Sequence, residues 1–237
     1  KSYYEPIMGS IPTVYLDSEV TPVPDDMNNP EAIKETWLGV SEEKELNDLT
    51  SIMLDHRPNI LVIDHYSYNN SLTSALNIFA PLAVVDDLNN RLMQCDIIIN
   101  HNLGFIKGHY KNCYNKNGDV PKLLLGPEYC MIENSFSTLE TSRTFDEDKK
   151  LKLLVTFGAL DHNNMSLSVL NAIAKSKLSA LLDVSVMLHA NAPHRNELEK
   201  WSSEALPSLK FYWSPEDIPR LYKNASLALG AGGTSAW

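Results

Sequence analysis

The sequence is poor in basic residues, in cysteine and in long apolar runs. Lys and Arg number 20 against 30 Asp and Glu, and the net charge of −10 disfavours nucleic acid as a partner. No apolar run approaches the roughly 20 residues of a membrane-spanning helix, so we expect no membrane partner. The three cysteines, Cys95, Cys113 and Cys130, form no C-x-x-C pair. Their odd number favours reduced thiols and a cytoplasmic protein.

Several catalytic motifs are also missing. The chain has no G-x-S-x-G elbow, no Walker loop and no G-x-G-x-x-G, so Ser-His-Asp catalysis, ATP and NAD have no specific support. We expect no cofactor. The spacings of histidines and carboxylates match no zinc motif, and we expect no metal. A metal held by Asp64, His65, Asp86 and Asp87 is nevertheless the natural rival to acid–base chemistry at those residues.

The chain does contain a regular alternation of strand and helix patterns. With 237 residues, of which 43% are apolar, it can bury a core in one or two domains. Short apolar runs bounded by polar residues predict buried parallel strands in doubly wound α/β sheets. The strands are predicted at 14–16, 59–64, 82–86, 96–100, 122–126, 151–157, 183–188, 210–213 and 226–229. Helices are predicted at 41–56, 72–79, around Met165 to Ile173, at 194–203 and at 215–223, the last with a proline in its first turn.

The charged segment 140–150 lacks periodicity and predicts a linker between two halves. We therefore place a first domain at 1–145 and a second at 146–237. Residues 101–121 are polar, and we interpret them as a surface loop.

Polar residues follow the predicted strands of the first half. They are Asp64-His65-Tyr66, Asp86-Asp87, Asn100-His101-Asn102 and Gly126-Pro-Glu-Tyr129. The carboxyl ends of parallel strands line the ligand crevice in open α/β sheets, so these clusters are expected to converge and to support acid–base chemistry. For each acid alone a helix cap is the simpler explanation, although one cap would not explain both Asp86 and Asp87. Arg91 either reaches a phosphate or sugar hydroxyl or pairs with Asp87 or Asp96.

Two strands of the second half run into glycine. The first, Leu151–Phe157, stops at Gly158, and the second meets Gly230-Ala-Gly-Gly233. Glycine lets backbone approach a ligand closely, and free amides at a helix start bind anions. Thr156, Thr234 and Ser235 add hydroxyl donors. A diphosphate held by both turns is the expected ligand, while a plain strand-to-helix connection is the alternative for each turn alone.

Three segments of the first half carry a family resemblance. They are Val62-Ile-Asp-His-Tyr66, then Val85-Asp-Asp-Leu-Asn-Asn-Arg91 through Cys95-Asp-Ile-Ile-Ile-Asn-His-Asn102, and Leu124-Leu-Gly-Pro-Glu-Tyr129. The second half adds Val155-Thr-Phe-Gly158, Asp161, Asn164, residues 188–193 and Gly230-Ala-Gly-Gly-Thr-Ser-Ala-Trp237. This ordered set resembles the UDP-sugar hydrolases of pseudaminic acid biosynthesis, which act on UDP-2,4-diacetamido-2,4,6-trideoxy-β-L-altropyranose and belong to the GT-B, MurG-like superfamily.

The resemblance implies two Rossmann-like domains with parallel sheets, the first for sugar and catalysis and the second for UDP. It implies that water attacks the anomeric carbon of a UDP-sugar with inversion, without a metal. We expect the protein to be a monomer. The implied catalytic residues are Tyr66, Asp64 and His65. The implied substrate-binding residues are Asp86, Asp87, Arg91, Asn100 and Asn102. The implied nucleotide-binding residues are Thr156, Phe157, Gly158, Asp161, Asn164, Gly232, Gly233, Thr234 and Ser235.

The sequence also departs from the family. The family's opening G-x-G-H-x-x-R turn, which supplies a catalytic histidine, has no match in residues 1–40. We expect the first domain to lack its initial strand and that turn, and the second to lack its final helices. The family's F-G-G-S-D pattern reads Phe157-Gly-Ala-Leu-Asp161 here. A GT-B glycosyltransferase and a non-catalytic sugar-nucleotide-binding relative are the alternative functions.

Overall fold

A computed structural model describes residues 12–16, 37–137, 150–201 and 206–233. The chain divides into two compact units, Lys1–Cys130 and Met131–Trp237. Each unit contains one four-stranded sheet in which every strand pair is parallel, so the predicted α/β class with two Rossmann-like domains is confirmed. The predicted boundary between residues 145 and 146 lies outside the described residues and stays a prediction.

The first unit alternates helices and strands as the periodicity predicts. Its elements are α1 Glu42–His56, β1 Leu61–Ile63, α2 Asn70–Leu76, β2 Leu82–Val85, β3 Ile97–Asn100 and β4 Lys122–Leu125. The strands lie in the order β1-β2-β3-β4. Helix α1 begins after Ser41, whose hydroxyl accepts a hydrogen bond from the Lys44 amide at 3.3 Å. The strand expected at 14–16 is wrong, because residues 12–16 are described and contain no strand.

The main apolar cluster of the first unit lies on one face of its sheet, while Ala83 and Val85 of β2 are buried on the other face. Side chains at alternate strand positions, including Ile63, Val84 and Ile98, pack in this cluster with residues of α2 and with partly buried residues of α1. This burial fixes the register, since a slip by one residue would turn the apolar set to the opposite face.

Part of the predicted surface loop at 101–121 belongs to this core. Tyr110, at the end of one turn of 3₁₀ helix (Lys107–Tyr110), is fully buried, and so nearly is Cys113. The prediction of a surface loop was wrong for these two residues. Both residues have polar sequence neighbours, so no apolar pattern indicates their burial. In the fold, both side chains pack in the apolar cluster of the first unit.

The second unit has a different strand order. Its elements are α3 Asn134–Ser137, β5 Leu151–Thr156, α4 Met165–Ala174, β6 Leu182–Leu188, α5 Arg195–Lys200, β7 Lys210–Trp213, α6 Ile218–Asn224 and β8 Leu227–Gly230. The sheet order is β7-β6-β5-β8. The chain therefore extends the sheet to one side from β5 and then returns to the other side with β8. The topological switch point, where open α/β sheets bind ligands, lies between β5 and β8.

A separate apolar cluster supports this sheet. It contains Val155, Val184 and Val186 from the strands, Leu170 from α4 and Leu198 from α5. Helix α6 begins three residues later than predicted, at Ile218, because Asp217 accepts the Arg220 amide and caps it.

Candidate functional site

The polar strand ends of the first unit meet at one edge of the sheet. Because β1, β2 and β3 are parallel neighbours, the residues that follow them lie side by side. The structure brings together seven of the predicted residues through hydrogen bonds, one ion pair and the Tyr110 hydroxyl: His65, Tyr66, Asp86, Asp87, Arg91, Asn100 and Asn102. Asp64 is exposed beside them. Their catalytic and substrate-binding roles stay predictions.

The exposed part of this edge is a tyrosine–carboxylate pair. The Tyr66 hydroxyl donates to Asp87 Oδ2 at 2.7 Å, and the Tyr66 ring lies 5.1 Å from that of Trp37. The hydrogen bond to Asp87, together with partial burial, raises the pKa of Tyr66 to about 12. Tyr66 therefore stays protonated at neutral pH and acts as a donor. Its side chain remains 39% exposed, so the pair is open to a ligand.

His65 is held by backbone groups. The Ser67 amide donates to its Nδ1 at 3.1 Å, and the ring packs edge-on against Tyr68. Burial lowers the pKa of His65 below its ordinary value of 6.5, while a hydrogen bond with the Trp37 backbone acts in the opposite direction. The neutral ring thus uses Nδ1 as an acceptor within the turn, and His65 stabilises the turn that carries Tyr66.

Arg91 joins the ends of β1 and β2. Its Nη1 donates to the carbonyl oxygen of His65 at 2.7 Å, and its Nη2 lies 3.5 Å from Asp86 Oδ1. Both side chains are buried, with 6% exposure for Arg91 and none for Asp86. Burial lowers the pKa of Arg91, and the Asp86 carboxylate opposes that shift. Of the two sequence alternatives, the ion pair forms, but with Asp86 and not with Asp87 or Asp96.

Asn100 and Asn102 differ in burial. Asn100 is fully buried; its amide donates to the Tyr110 hydroxyl at 2.8 Å, and its oxygen accepts the Asn102 amide. Asn102 is half-buried and donates to the carbonyl oxygen of Asp87 at 3.4 Å. Asp86 and Asn100 therefore contact protein groups, whereas Tyr66, Asp87 and Asn102 lie nearer the surface.

In the second unit, the two glycine turns are neighbours. Strands β5 and β8 pair directly, with Thr156 opposite Gly230. The turns that follow, at Gly158 and at Gly232–Gly233, therefore leave the same edge of the sheet at the switch point. Gly158 has φ +85°, a conformation that favours glycine, and an added Cβ at Gly158, Gly232 or Gly233 would meet nothing within 4 Å. Both turns are therefore unobstructed at one edge of the sheet, and the anion crevice expected there stays a prediction.

Gly230 has a different role. A Cβ built there would lie 2.2 Å from the carbonyl oxygen of Thr156, which no real side chain tolerates. Glycine at this position lets β8 pair with β5 to its last residue.

The amides at the start of α4 were expected to be free to bind an anion, but two of them are occupied. Asp161, buried and with φ 44°, accepts the Met165 amide at 2.9 Å and the Ser166 amide at 2.8 Å. A carboxylate of this chain thus occupies two of the helix amides that were expected to bind a phosphate. The physical reason is local: an acid four residues before the helix reaches its free donors directly.

The remaining residues predicted to bind the nucleotide lie in or near the two glycine turns or at the start of α4. Thr156 is buried, Phe157 is half-buried, and Asn164 donates from its amide to Glu197 Oε2 at 2.8 Å. The loop after β6 joins the same edge, since the His189 amide donates to the carbonyl oxygen of Ala159 at 2.8 Å. Thr234 and Ser235 lie outside the described residues, and the nucleotide-binding role of the whole set stays a prediction.

Sequence reasoning missed two contributors, Trp37, which packs on Tyr66, and Tyr110, which contacts two strand ends. It named Gly230 as part of a ligand-binding turn, whereas Gly230 permits the close approach of β8 to β5. A tyrosine flanked by polar residues gives no sequence signal of burial, but the glycine that ends a strand pattern does indicate a close backbone contact.

In the part of the chain that the structure describes, no group of three or more His, Cys, Asp or Glu side chains is arranged to hold a metal ion. Among the same residues, no helix is both long enough and apolar enough to cross a membrane.

No family model matches the chain, and no curated protein matches it either. Among solved structures, the chain is similar to MurG from Acinetobacter baumannii, with 12% identity, 81% of this chain and 52% of that chain covered, and a TM-score of 0.46. It is also similar to the glycosylation-associated protein (Gap123) complex from Streptococcus agalactiae, with 12% identity, 85% and 44% coverage, and a TM-score of 0.37. The chain spans about half the length of these two structures, and likeness at this level identifies no family.

Proposed function

We propose that this chain is a hydrolase of a UDP-linked sugar, and that the sugar is of the diacetamido-trideoxy class used in pseudaminic acid biosynthesis. Water would form a bond to the anomeric carbon while the bond from that carbon to the diphosphate oxygen breaks. The bonding electrons would leave with UDP, and the configuration would invert. The observation that best supports this proposal is the exposed Tyr66–Asp87 pair at the carboxyl edge of the first sheet.

In this proposal Asp87 is the base. Tyr66 donates to Oδ2 and so fixes the carboxylate, which leaves Oδ1 to accept a proton from the attacking water. A phenol with a pKa of about 12 remains a donor throughout the reaction. This refines the assignment made from the resemblance, in which Tyr66, Asp64 and His65 carry the chemistry and Asp87 binds the sugar.

The UDP moiety is assigned to the crevice beyond β5 and β8. The amides of residues 158–160 and 231–233 would contact the diphosphate, because Asp161 already engages two amides of α4. Gly158, Gly232 and Gly233 allow the backbone to approach the phosphates.

The occupied helix start also favours a second candidate, a sugar-nucleotide-binding protein without turnover. Because Asp161 occupies two amides of α4, fewer donors remain to stabilise the negative charge that would develop on a departing diphosphate, so a UDP-sugar would be bound at the glycine turns without being cleaved.

One experiment separates these functions. The chain is incubated with candidate UDP-sugars in ¹⁸O-labelled water, and the label is located by mass spectrometry, with Asp87→Asn as the matched control. Label on the sugar, lost in the control, supports hydrolysis at carbon. Label on UDP overturns it, UDP-sugar binding without release supports the second candidate, and release only with an added acceptor indicates a GT-B glycosyltransferase.

A further inference from the structure

Tyr110 is placed where one hydroxyl contacts two strand ends at once. It follows β3 by ten residues and returns to the end of that strand, where Asn100 Nδ2 donates to its hydroxyl at 2.8 Å. The same hydroxyl lies 3.0 Å from Asp86 Oδ2, to which it donates. The side chain is fully buried, so no solvent competes for these bonds.

The Tyr110 hydroxyl also contacts the backbone next to Asp87. It lies 3.3 Å from the carbonyl oxygen of Asp86, which belongs to the peptide unit joined to Asp87. Asp86 Oδ2 in addition accepts the Asn89 amide at 3.0 Å, and so closes the turn from 86 to 89. The hydroxyl therefore contacts both the side chain and the main chain that fix this turn.

The contacts continue from Asp86 to Tyr66. Arg91 lies between the Asp86 carboxylate and the carbonyl oxygen of His65, the residue directly before Tyr66. Both partners of the exposed pair are thus connected to Tyr110 through buried groups, Asp87 through its own backbone and Tyr66 through Arg91.

We propose that Tyr110 is the positioning residue that aligns Asp87 with Tyr66. This inference rests on the proposed function for the roles of Tyr66 and Asp87, although the alignment itself is measurable without turnover. The rival explanation is a core tyrosine that contributes only to stability.

The test is the variant Tyr110→Phe, which removes one oxygen atom and retains the ring. The titration of Tyr66 is followed by NMR of tyrosine labelled with ¹³C at Cζ, with its signal assigned from Tyr66→Phe. A misaligned Asp87 accepts a weaker hydrogen bond, so the pKa of Tyr66 should fall from about 12 towards the ordinary tyrosine value of about 10.

The matched control is Tyr114→Phe in the same loop, because that hydroxyl accepts only from Asn70 at 3.3 Å among the described contacts and does not touch Asp86. Should Tyr110→Phe fail to fold, Asn100→Ser removes the donor to Tyr110 and should lower the pKa of Tyr66 by less. The proposal would be overturned if the pKa of Tyr66 were unchanged in folded Tyr110→Phe, or if it fell equally in Tyr114→Phe. Loss of folding in both Tyr110→Phe and Asn100→Ser would also overturn it, since Tyr110 would then contribute to stability alone.

Turnover provides a second readout if the chain releases UDP. Tyr110→Phe should then lower kcat by about tenfold or more with KM unchanged, because the misplacement affects the base and not the UDP crevice. A wild-type chain without turnover would refute the proposed hydrolysis but not the positioning, since the Tyr66 titration decides that separately.

Discussion

At the scale of single residues, two groups lie at the carboxyl edge of the first sheet. Some residues are buried and hold the strand ends together, and others are accessible to a ligand. Asp86, Arg91 and Asn100 are buried and bind one another or backbone groups, whereas Tyr66 and Asp87 are accessible. The acids of the pair Asp86-Asp87 therefore have different roles. One organises the turn, and the other is available to a ligand.

Tyr66→Phe should affect chemistry more than binding. The change removes the donor at 2.7 Å from Asp87 and leaves the ring against Trp37. Turnover of a UDP-sugar should fall by about 100-fold, because the carboxylate is no longer fixed, while the affinity for UDP stays the same. Steady-state kinetics and calorimetry with UDP measure the two quantities. Unchanged turnover would remove Tyr66 from the reaction.

The same hydrogen bond should appear in the pH dependence of stability. The folded pKa of Tyr66, about 12, lies above the value of 10.0 expected in the unfolded chain, so the folded state binds this proton more tightly. The stabilisation is present in full below pH 10 and is lost as pH rises through 12.

The measurement is urea unfolding of the wild type and of Tyr66→Phe from pH 8 to 12. The difference in unfolding free energy between them should be constant up to about pH 10 and should shrink above it. A difference that stays constant to pH 12 would show that the hydrogen bond does not stabilise the folded state.

At the scale of elements, two glycines only two residues apart have opposite sensitivities. Gly230 ends β8 against β5, and Gly232 lies in open space. Gly230→Ala should lower the free energy of unfolding by about 1–3 kcal/mol, because its Cβ forces the two strands apart. Gly232→Ala should change it by less than about 0.5 kcal/mol. Denaturant unfolding compares the two.

Gly232→Ala, which should hardly change stability, is expected to weaken the binding of UDP. If amides of residues 231–233 contact a diphosphate, a methyl group at Gly232 should weaken UDP binding while stability is retained. Calorimetry of Gly232→Ala decides this, and wild-type affinity would remove the β8 turn from the nucleotide site.

Helix α4 depends on a single carboxylate. Asp161→Ala removes the acceptor for the Met165 and Ser166 amides and places alanine at φ 44°, so the free energy of unfolding should fall by about 1–2 kcal/mol. Asp161→Asn retains one oxygen acceptor and tolerates the backbone conformation, and should lose less. Equal losses in the two variants, measured by urea unfolding, would contradict the capping role.

At the scale of the whole molecule, each unit has its own sheet and its own apolar cluster. A unit that buries its own core is expected to fold alone. Residues 131–237, expressed separately, should therefore unfold cooperatively and bind UDP. Circular dichroism and calorimetry test the two statements, and a separately expressed second unit without a cooperative transition would show that its core needs the rest of the chain.

The sequence by itself determined the order of strands and helices from α1 to β4 and from β5 to β8, the two parallel sheets and the convergence of Asp87 and Tyr66, because apolar periodicity and polar strand ends are local patterns. Only the tertiary structure decided that Tyr110 is buried, that Arg91 pairs with Asp86, and that Gly230 rather than Gly158 adjoins neighbouring backbone. It also decided that Asp161 takes two helix amides. These outcomes depend on which groups compete for the same buried hydrogen-bond donor or the same space. Groups that are distant in sequence meet only in the folded chain, so local sequence patterns cannot predict the result.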